Sequence, residues 1–370
     1  MKFDYHDTRT WVSLLFNNLF FTGIALFGVF FVALQYVAQA GWSTVVKRIP
    51  EAISGYLPLG GGIMLLIVLA AAFDLHHIYH WMDPELHDKN SEHYDAVIAN
   101  KSAYLNIPFF LFRSFVYVFV WVYCSKKLKE FSLKEDLDSN IKWHRKSITL
   151  SAIFIVFYAV STSTASWDWI MSIDTHWFST MFGWYFFAGT AASGFTIITL
   201  LIIYLKRQGY LPEINQNHLH DLGKFIFVCS VLWTYLWFSQ FMLIWYAHIP
   251  EEILYFIERF RNPTYQFILW LTIILNFVFP TLLLMSRDCK RNYKYLVVTG
   301  VIVLIGHWLD YFLMVTPGVM HSFGKLGFIE IGICLGCFGL FAHFTFNRLK
   351  KVNLVVKNHP FLDESKHHEV

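Results

Sequence analysis

Charge is what this sequence has least of. Only 15% of its 370 residues are Asp, Glu, Lys or Arg, against roughly 25% in an ordinary soluble domain. A chain of this length with so few charges cannot cover its own surface in water. The net charge of +3 is small and its basic residues sit in short connections, which argues against a nucleic-acid partner. Cysteine is scarce too. Cys124, Cys229, Cys289, Cys334 and Cys337 make neither a haem-attachment motif nor a paired zinc pattern. Cys334 and Cys337 form a C-x-x-C, but inside an apolar run, where two small residues one turn apart serve packing. No short-period repeat, low-complexity tract or interdomain linker interrupts the chain.

What fills the chain instead is apolar: 56% hydrophobic and 19% aromatic residues. Runs of about 18 or more apolar residues read as transmembrane helices. About nine such runs fall at 11–38, 56–80, 107–124, 147–167, 178–205, 222–248, 264–286, 294–315 and 325–348. The expectation is an all-α integral membrane protein, a polytopic helical bundle forming one transmembrane domain over residues 1–370. Ala38-Gln39-Ala40 resembles a signal-peptide cleavage site. The apolar stretch before it is far longer than the roughly 7–15 residues of a signal core, so it counts as the first span.

Basic residues are split unevenly between alternate connections. Twenty lie in the set comprising 47–48, 126–146, 206–207, 287–294 and the C-terminal tail; seven, including Lys2 and Arg9, lie in the other. By the positive-inside rule the first set is cytoplasmic. That places the C-terminus in the cytoplasm and, with nine spans, the N-terminus outside. The outer connections are of another kind: Trp81–Lys101 is dense in His, Asp and Glu, Trp167–Trp177 reads WDWIMSIDTHW, and His248–Pro263 reads HIPEEILYFIERFRNP. Their aromatic and polar character suits docking of other subunits as well as interface anchoring.

An ionisable group within a membrane is costly, so each one is a functional candidate. Asp74, His76, His77 and His80 lie at the outer end of the second span, Arg113 a third of the way into the third, and Asp168 at the outer mouth of the fourth. Gln240, His307, Asp310 and Glu330 lie in the outer halves of the sixth, eighth and ninth. The inner halves are much poorer. Asp74, His77 and His80 follow one another at three-residue steps, and His76 and His80 are four apart, so these pairs share helix faces. His307 and Asp310 are also three apart. Such a cluster can line a proton route or a quinol site, ligate haem, or tie helices together. Against haem, no two buried histidines stand at matching depths on facing helices.

The runs AQAGWSTVVKRIPEAISGYLPLGG, YLNIPFFLFRS, SWDWIMSIDTHWFSTMFGWYFFAG, HDLGKFIFVCSVLWTYLWFSQFMLIWYAHIPEE and GHWLDYFLMV resemble the ActF-type, NrfD-like membrane subunits of bacterial alternative complex III, a quinol:electron-acceptor oxidoreductase. The resemblance covers nearly the whole chain. It implies two four-helix bundles with no redox cofactor bound by this chain, in a complex that oxidises menaquinol using haem c and iron–sulfur clusters on other subunits. The implied partners are membrane lipid, the NrfD-like ActC, the iron–sulfur subunit ActB, haem c subunits and small membrane subunits, in a bacterial inner membrane. Two departures stand out. The family pattern has one further spanning helix at its start, and where the sister subunit's quinol motif has a His six residues before the matching Asp, this chain has Thr162 before Asp168. The second departure weakens a quinol-oxidising site here and leaves anchoring and a periplasm-facing proton route. The alternatives are a quinol pocket of its own, or a small-molecule or ion transporter, for which only Gly60-Gly61-Gly62 in the second span speaks; close helix packing explains that run equally well.

The charge bias makes a direct prediction. Reporter fusions after Lys146 and at Val370 both read cytoplasm; an external signal at either position contradicts the nine-span topology.

Overall fold

The computed structural model describes residues 5–138 and 140–369; Lys2, counted in the charge bias, lies outside them. Among the described residues regular structure is helical throughout, and nine helices are long and apolar enough to cross a membrane. They are α1 (Asp7–Ala38), α2 (Arg48–Ala72), α3 (Ile107–Leu137), α4 (Lys142–Ile173), α5 (Phe182–Arg207), α6 (Gln216–Ala247), α7 (Pro263–Leu284), α8 (Tyr293–Phe323) and α9 (Phe328–Leu349). This is a polytopic helical membrane protein. An odd number of spans puts the chain's two ends on opposite faces, called here the N-face and the C-face.

Local chemistry explains where several spans begin. The side chains of Asn106, Asn215, Asn262 and Asn292 each accept from backbone N–H groups that the first turn of α3, α6, α7 or α8 leaves free, and Pro108 and Pro263 stand where a helix needs no donor. The spans then form two rings of four. In one, α1 packs on α2 and α4, and α3 closes the ring between them; in the other, α5 packs on α6 and α8, and α7 closes it. The rings meet where α1 lies against α5 and α8, and α4 against α5; α9 packs outside, on α1 and the first half of α2. This is the paired arrangement that the resemblance implied.

Without a hydrophobic drive between helices in lipid, close approach depends on small residues. A Cβ on Gly194 of α5 would fall 2.0 Å from the Phe27 ring of α1, and one on Gly60 would fall 2.2 Å from Thr22 Oγ1. Gly61 meets Val118 of α3 in the same way, whereas Gly62 faces open space. The glycine run in α2 is thus a packing seam between α1 and α3.

Several helix boundaries differ from expectation, with consequences for the candidates near them. The second span begins at Arg48 and ends at Ala72, rather than covering 56–80. The third continues to Leu137, and the fourth begins at Lys142. Hydropathy marks only the stretch immersed in hydrocarbon, whereas the backbone ladder continues wherever side chains find partners beyond it.

α8 contains Pro317 within its length, which removes the donor that would reach the Leu313 carbonyl. Arg259, on the short N-face helix Pro250–Arg261, supplies it: Nε donates to Leu313 O at 3.0 Å and Nη2 to Met314 O at 3.3 Å. The guanidinium is buried and lies 3.4 Å from the centroid of the Tyr255 ring, which in turn stacks on Trp177 at 3.9 Å. Replacing Arg259 by Met should lower stability by about 2 kcal/mol, the worth of a buried bond to a charged donor. In a Pro317→Ala background, where residue 317 regains its N–H, the same replacement should cost about 1 kcal/mol less. Thermal unfolding of the four proteins in detergent measures this; equal costs in both backgrounds contradict the pairing.

Candidate functional site

All four helices of the second ring contribute a side chain to one buried centre. His307 and Asp310 stand one turn apart on α8 and are buried. Asp310 Oδ1 accepts from the Tyr185 hydroxyl of α5, and Oδ2 accepts from Trp233 Nε1 of α6 at 2.9 Å. Both partners are neutral. No cation lies within ion-pair distance of Asp310 among the described residues. The His307 ring meets Trp233 edge-on at 5.5 Å. Its Nδ1 lies 3.4 Å from Asn276 Nδ2 of α7, while His307 Nε2 and Asn276 Oδ1 have no hydrogen-bond partner among the described residues. One turn away, the Tyr311 hydroxyl pairs with Thr190 Oγ1 of α5 at 2.9 Å.

Asn276 reaches this centre because α7 is irregular there. Residues Ile274–Val278 form a π turn just before Pro280, the kind of local widening that re-aims a side chain and recurs at functional sites. Gly306 of α8 leaves room for it, since a Cβ there would fall 2.1 Å from Asn276 Oδ1. Sequence reading found His307 and Asp310 but not Asn276, Tyr185 or Trp233. Pro280 inside a span was the available signal, as a place where the ladder must rearrange.

The first ring holds the other buried aspartate, and its situation is different. Arg113 of α3 grips Asp168 with two bonds, Nε to Oδ2 at 2.9 Å and Nη2 to Oδ1 at 2.8 Å. Tyr117 donates to Oδ2 at 3.0 Å, and Arg113 Nη1 donates to Tyr104 O at 3.0 Å. The guanidinium also lies over the Tyr104 and Phe109 rings. Asp168 is therefore paired, bonded and fully buried, as a structural ion pair requires. Beside it, Thr162 bonds Tyr158 O at 2.5 Å and lines a cavity of about 20 Å³ with Tyr158, Trp169 and Phe186. That is room for a water, not for a quinone ring.

The remaining candidates do not join either centre. The chain leaves the helix at Ala72, and Asp74 takes a left-handed backbone at φ 60°, so Asp74, His76, His77 and His80 share no helix face. His76 is buried, with Nε2 2.9 Å from Ile67 O and its ring on Trp11. His77 and Asp74 pair at 3.2 Å on the open N-face, and His80 is exposed. Gln240 accepts from Ser179 Oγ at 3.1 Å, tying α6 to the connection between α4 and α5. Glu330 accepts from Arg9 Nε and Nη2, both at 2.7 Å, and from Ser13 at 3.1 Å. This lock joins α9 to α1, and through Asn17, which accepts from Trp308 Nε1 at 2.7 Å, to α8.

The C-face ends of the spans, expected to be poor in ionisable groups, hold a dense buried network. Glu135 accepts from Tyr36 at 3.1 Å, pairs with Lys47 at 3.2 Å and meets His144 Nδ1 at 2.9 Å. Arg48 bonds Glu51 at 2.5 Å and Ser132 Oγ at 2.9 Å, and also bonds Asp136. These residues were assigned to loops because the apolar runs stop short of them. The C-terminal tail lies across the network: His359 meets the His144 ring edge-on at 4.9 Å, Lys357 N donates to Asp136 Oδ1 at 3.0 Å, and Ser365 Oγ donates to Trp42 O at 2.7 Å. Glu135, His144 and His359 bring ligand-type atoms within 4.8 Å of one another, but the Glu135 charge is already balanced by Lys47. The tail packs on this cluster through the His359 ring and the Lys357 backbone N–H.

No protein-family model matches this chain, and no curated protein matches it.

Burial, with the Lys47 ammonium nearby, depresses the His359 imidazole to about 3. The docked tail thus binds fewer protons than a free one, whose imidazole titrates near 6.5. Its docking is fully favoured above that value and weakens as pH falls below it. Ser365 belongs to the tail and is fully buried against the body of the protein, so maleimide labelling of Ser365→Cys, corrected against a free thiol, should accelerate several-fold from pH 7.5 to 5. His359→Asn should flatten the change; an unaltered pH dependence in that variant contradicts the role of His359.

Proposed function

We propose that this chain is an integral membrane subunit of a quinol-oxidising respiratory complex of the alternative complex III type. It anchors the complex in a bacterial inner membrane with its N-face to the periplasm, and its second ring carries a proton-exchange centre built on Asp310 and His307. The complex as a whole takes its electrons from menaquinol and keeps its haem c and iron–sulfur clusters on ActB and the other partner subunits, with the NrfD-like ActC beside this chain. The long motif resemblance and the two four-helix rings support the family reading.

The observation that carries the proton reading is the contrast between two buried aspartates. Asp168 is held by a guanidinium; Asp310 has only neutral donors. A carboxyl in that position can lose or gain its proton without breaking an ion pair, and the unpaired nitrogen of His307 is one turn away. An imidazole nitrogen without a partner in the protein is free to take up or give a proton. The way out is placed toward the N-face, past the Arg259 guanidinium, which keeps its proton and acts there as a fixed charge rather than as a relay. Leu313 and Met314, one turn beyond Asp310, are gripped by Arg259, whose Nη2 lies 3.7 Å from Asp174 Oδ2. Asp174 has a fifth of its side chain exposed. This replaces the expected path through Asp74 and His77, which lie apart from Asp310 on the open surface. Quinol oxidation near the outer side must release two protons there, which gives such a path a use.

Asp310→Asn keeps the shape and most of the hydrogen bonding. In the assembled complex it should slow quinol:acceptor turnover by about a hundredfold or more, the low end of what a lost proton-transfer group costs, and alter its pH dependence. Asp168→Asn should instead reduce assembly. Unchanged rates and pH profile in assembled Asp310→Asn remove Asp310 from the route.

A further inference from the structure

At the C-face, Lys142, Arg145 and Lys146 open a stripe along α4 that continues as Thr149, Leu150 and Ile153. The steps of three and four residues put all six on one side of the helix. With Phe131 of α3 and the turn at Asn140–Ile141 they line a groove of about 520 Å³. The groove changes character along its length: three exposed cations at the rim, then apolar side chains, with Ile153 62% exposed. Of the neighbouring carboxylates, Asp138 accepts from Asn140 N and three others are engaged by other cations. Glu130 pairs with Lys127 at 2.8 Å and Lys134 at 2.7 Å, Glu135 with Lys47 and His144, and Asp136 with Arg48. None of the three rim cations has an acidic partner among the described residues. Aromatic faces hold the ammonium groups at the rim, with Lys146 Nζ 4.7 Å and Lys142 Nζ 6.0 Å from the centroid of the Trp143 ring.

We propose that this groove binds one anionic glycerophospholipid, its phosphodiester among Lys142, Arg145 and Lys146 and an acyl chain along Leu150 and Ile153. The order of chemistry along α4 is that of a phospholipid read from headgroup to tail. Surplus positive charge at the level where a span enters the bilayer attracts anionic headgroups, and the guanidinium of Arg145 suits a phosphate fork. A rim of unpaired cations leading into an apolar channel separates this place from the other basic connections. Lys350 and Lys351, also at the C-face, line no such groove.

The full chain in nonionic micelles is titrated with dioleoylphosphatidylglycerol or with dioleoylphosphatidylcholine, which carries the same acyl chains, and retained lipid is counted by native mass spectrometry. The expected result is one phosphatidylglycerol retained at least tenfold more strongly than phosphatidylcholine. K142Q/R145Q/K146Q should lose that preference by at least tenfold, whereas K350Q/K351Q keeps it. R145Q alone, a change at an exposed side chain, should move in the same direction and serves if the triple variant does not fold. Equal retention of the two lipids overturns the proposal. So does an equal loss in K350Q/K351Q, which would mean diffuse attraction to basic residues, or full retention in R145Q and the triple variant.

Discussion

Inside a bilayer there is no water to finish an incomplete hydrogen bond, so a polar atom at depth is costly unless the protein supplies its partner. That constraint organises this molecule from the first turn of each helix to its centre. Pro317 leaves the Leu313 carbonyl without its helical donor, and a buried arginine from a separate N-face helix supplies one. Pro280 coincides with a π turn, and the side chain that the turn swings inward, Asn276, meets the one buried histidine of α8. Glycines at 60, 194 and 306 sit where helices approach closely enough for such contacts to form.

Under the same constraint the two rings treat their buried aspartates in opposite ways. Asp168 ends α4 within a bidentate arginine pair backed by Tyr117, an arrangement that makes good the cost of desolvation and holds α3 to α4. Asp310, on the corresponding fourth helix of the second ring, is surrounded by Tyr185 and Trp233 alone. A purely structural carboxylate gains from a cation; a carboxyl that exchanges protons is hindered by one. At the C-face, charge is again compensated: Lys47 pairs with Glu135, Arg48 with Glu51 and Asp136, and the tail packs over them.

Much of the fold was legible in the sequence, because a run of apolar residues long enough to cross a bilayer has few other uses. All nine spans were recovered. What hydropathy could not show was where helices continue past the hydrocarbon. Glu135 and His144 read as loop residues because the apolar run in α3 ends near Cys124 and that in α4 begins near Ser147, yet α3 goes on to Leu137 and α4 starts at Lys142, with ion pairs rather than apolar residues along these extensions. The opposite error occurred at Ala72, where histidines spaced like a helix face turned out to follow a left-handed residue, Asp74. Of the candidate site, His307 and Asp310 were visible from their depth. Their partners on α5, α6 and α7 are ordinary Tyr, Trp and Asn residues until packing brings them together.

The central claim is that Asp310 exchanges a proton while Asp168 does not. Redox-induced infrared difference spectra of the assembled complex, with menaquinol as donor, test it most directly through the carbonyl stretch of a protonated carboxyl. The account predicts a band that shifts on quinol oxidation, disappears in Asp310→Asn, and persists in whatever Asp168→Asn complex assembles. A difference spectrum that is the same with and without the Asp310 carboxyl would contradict it.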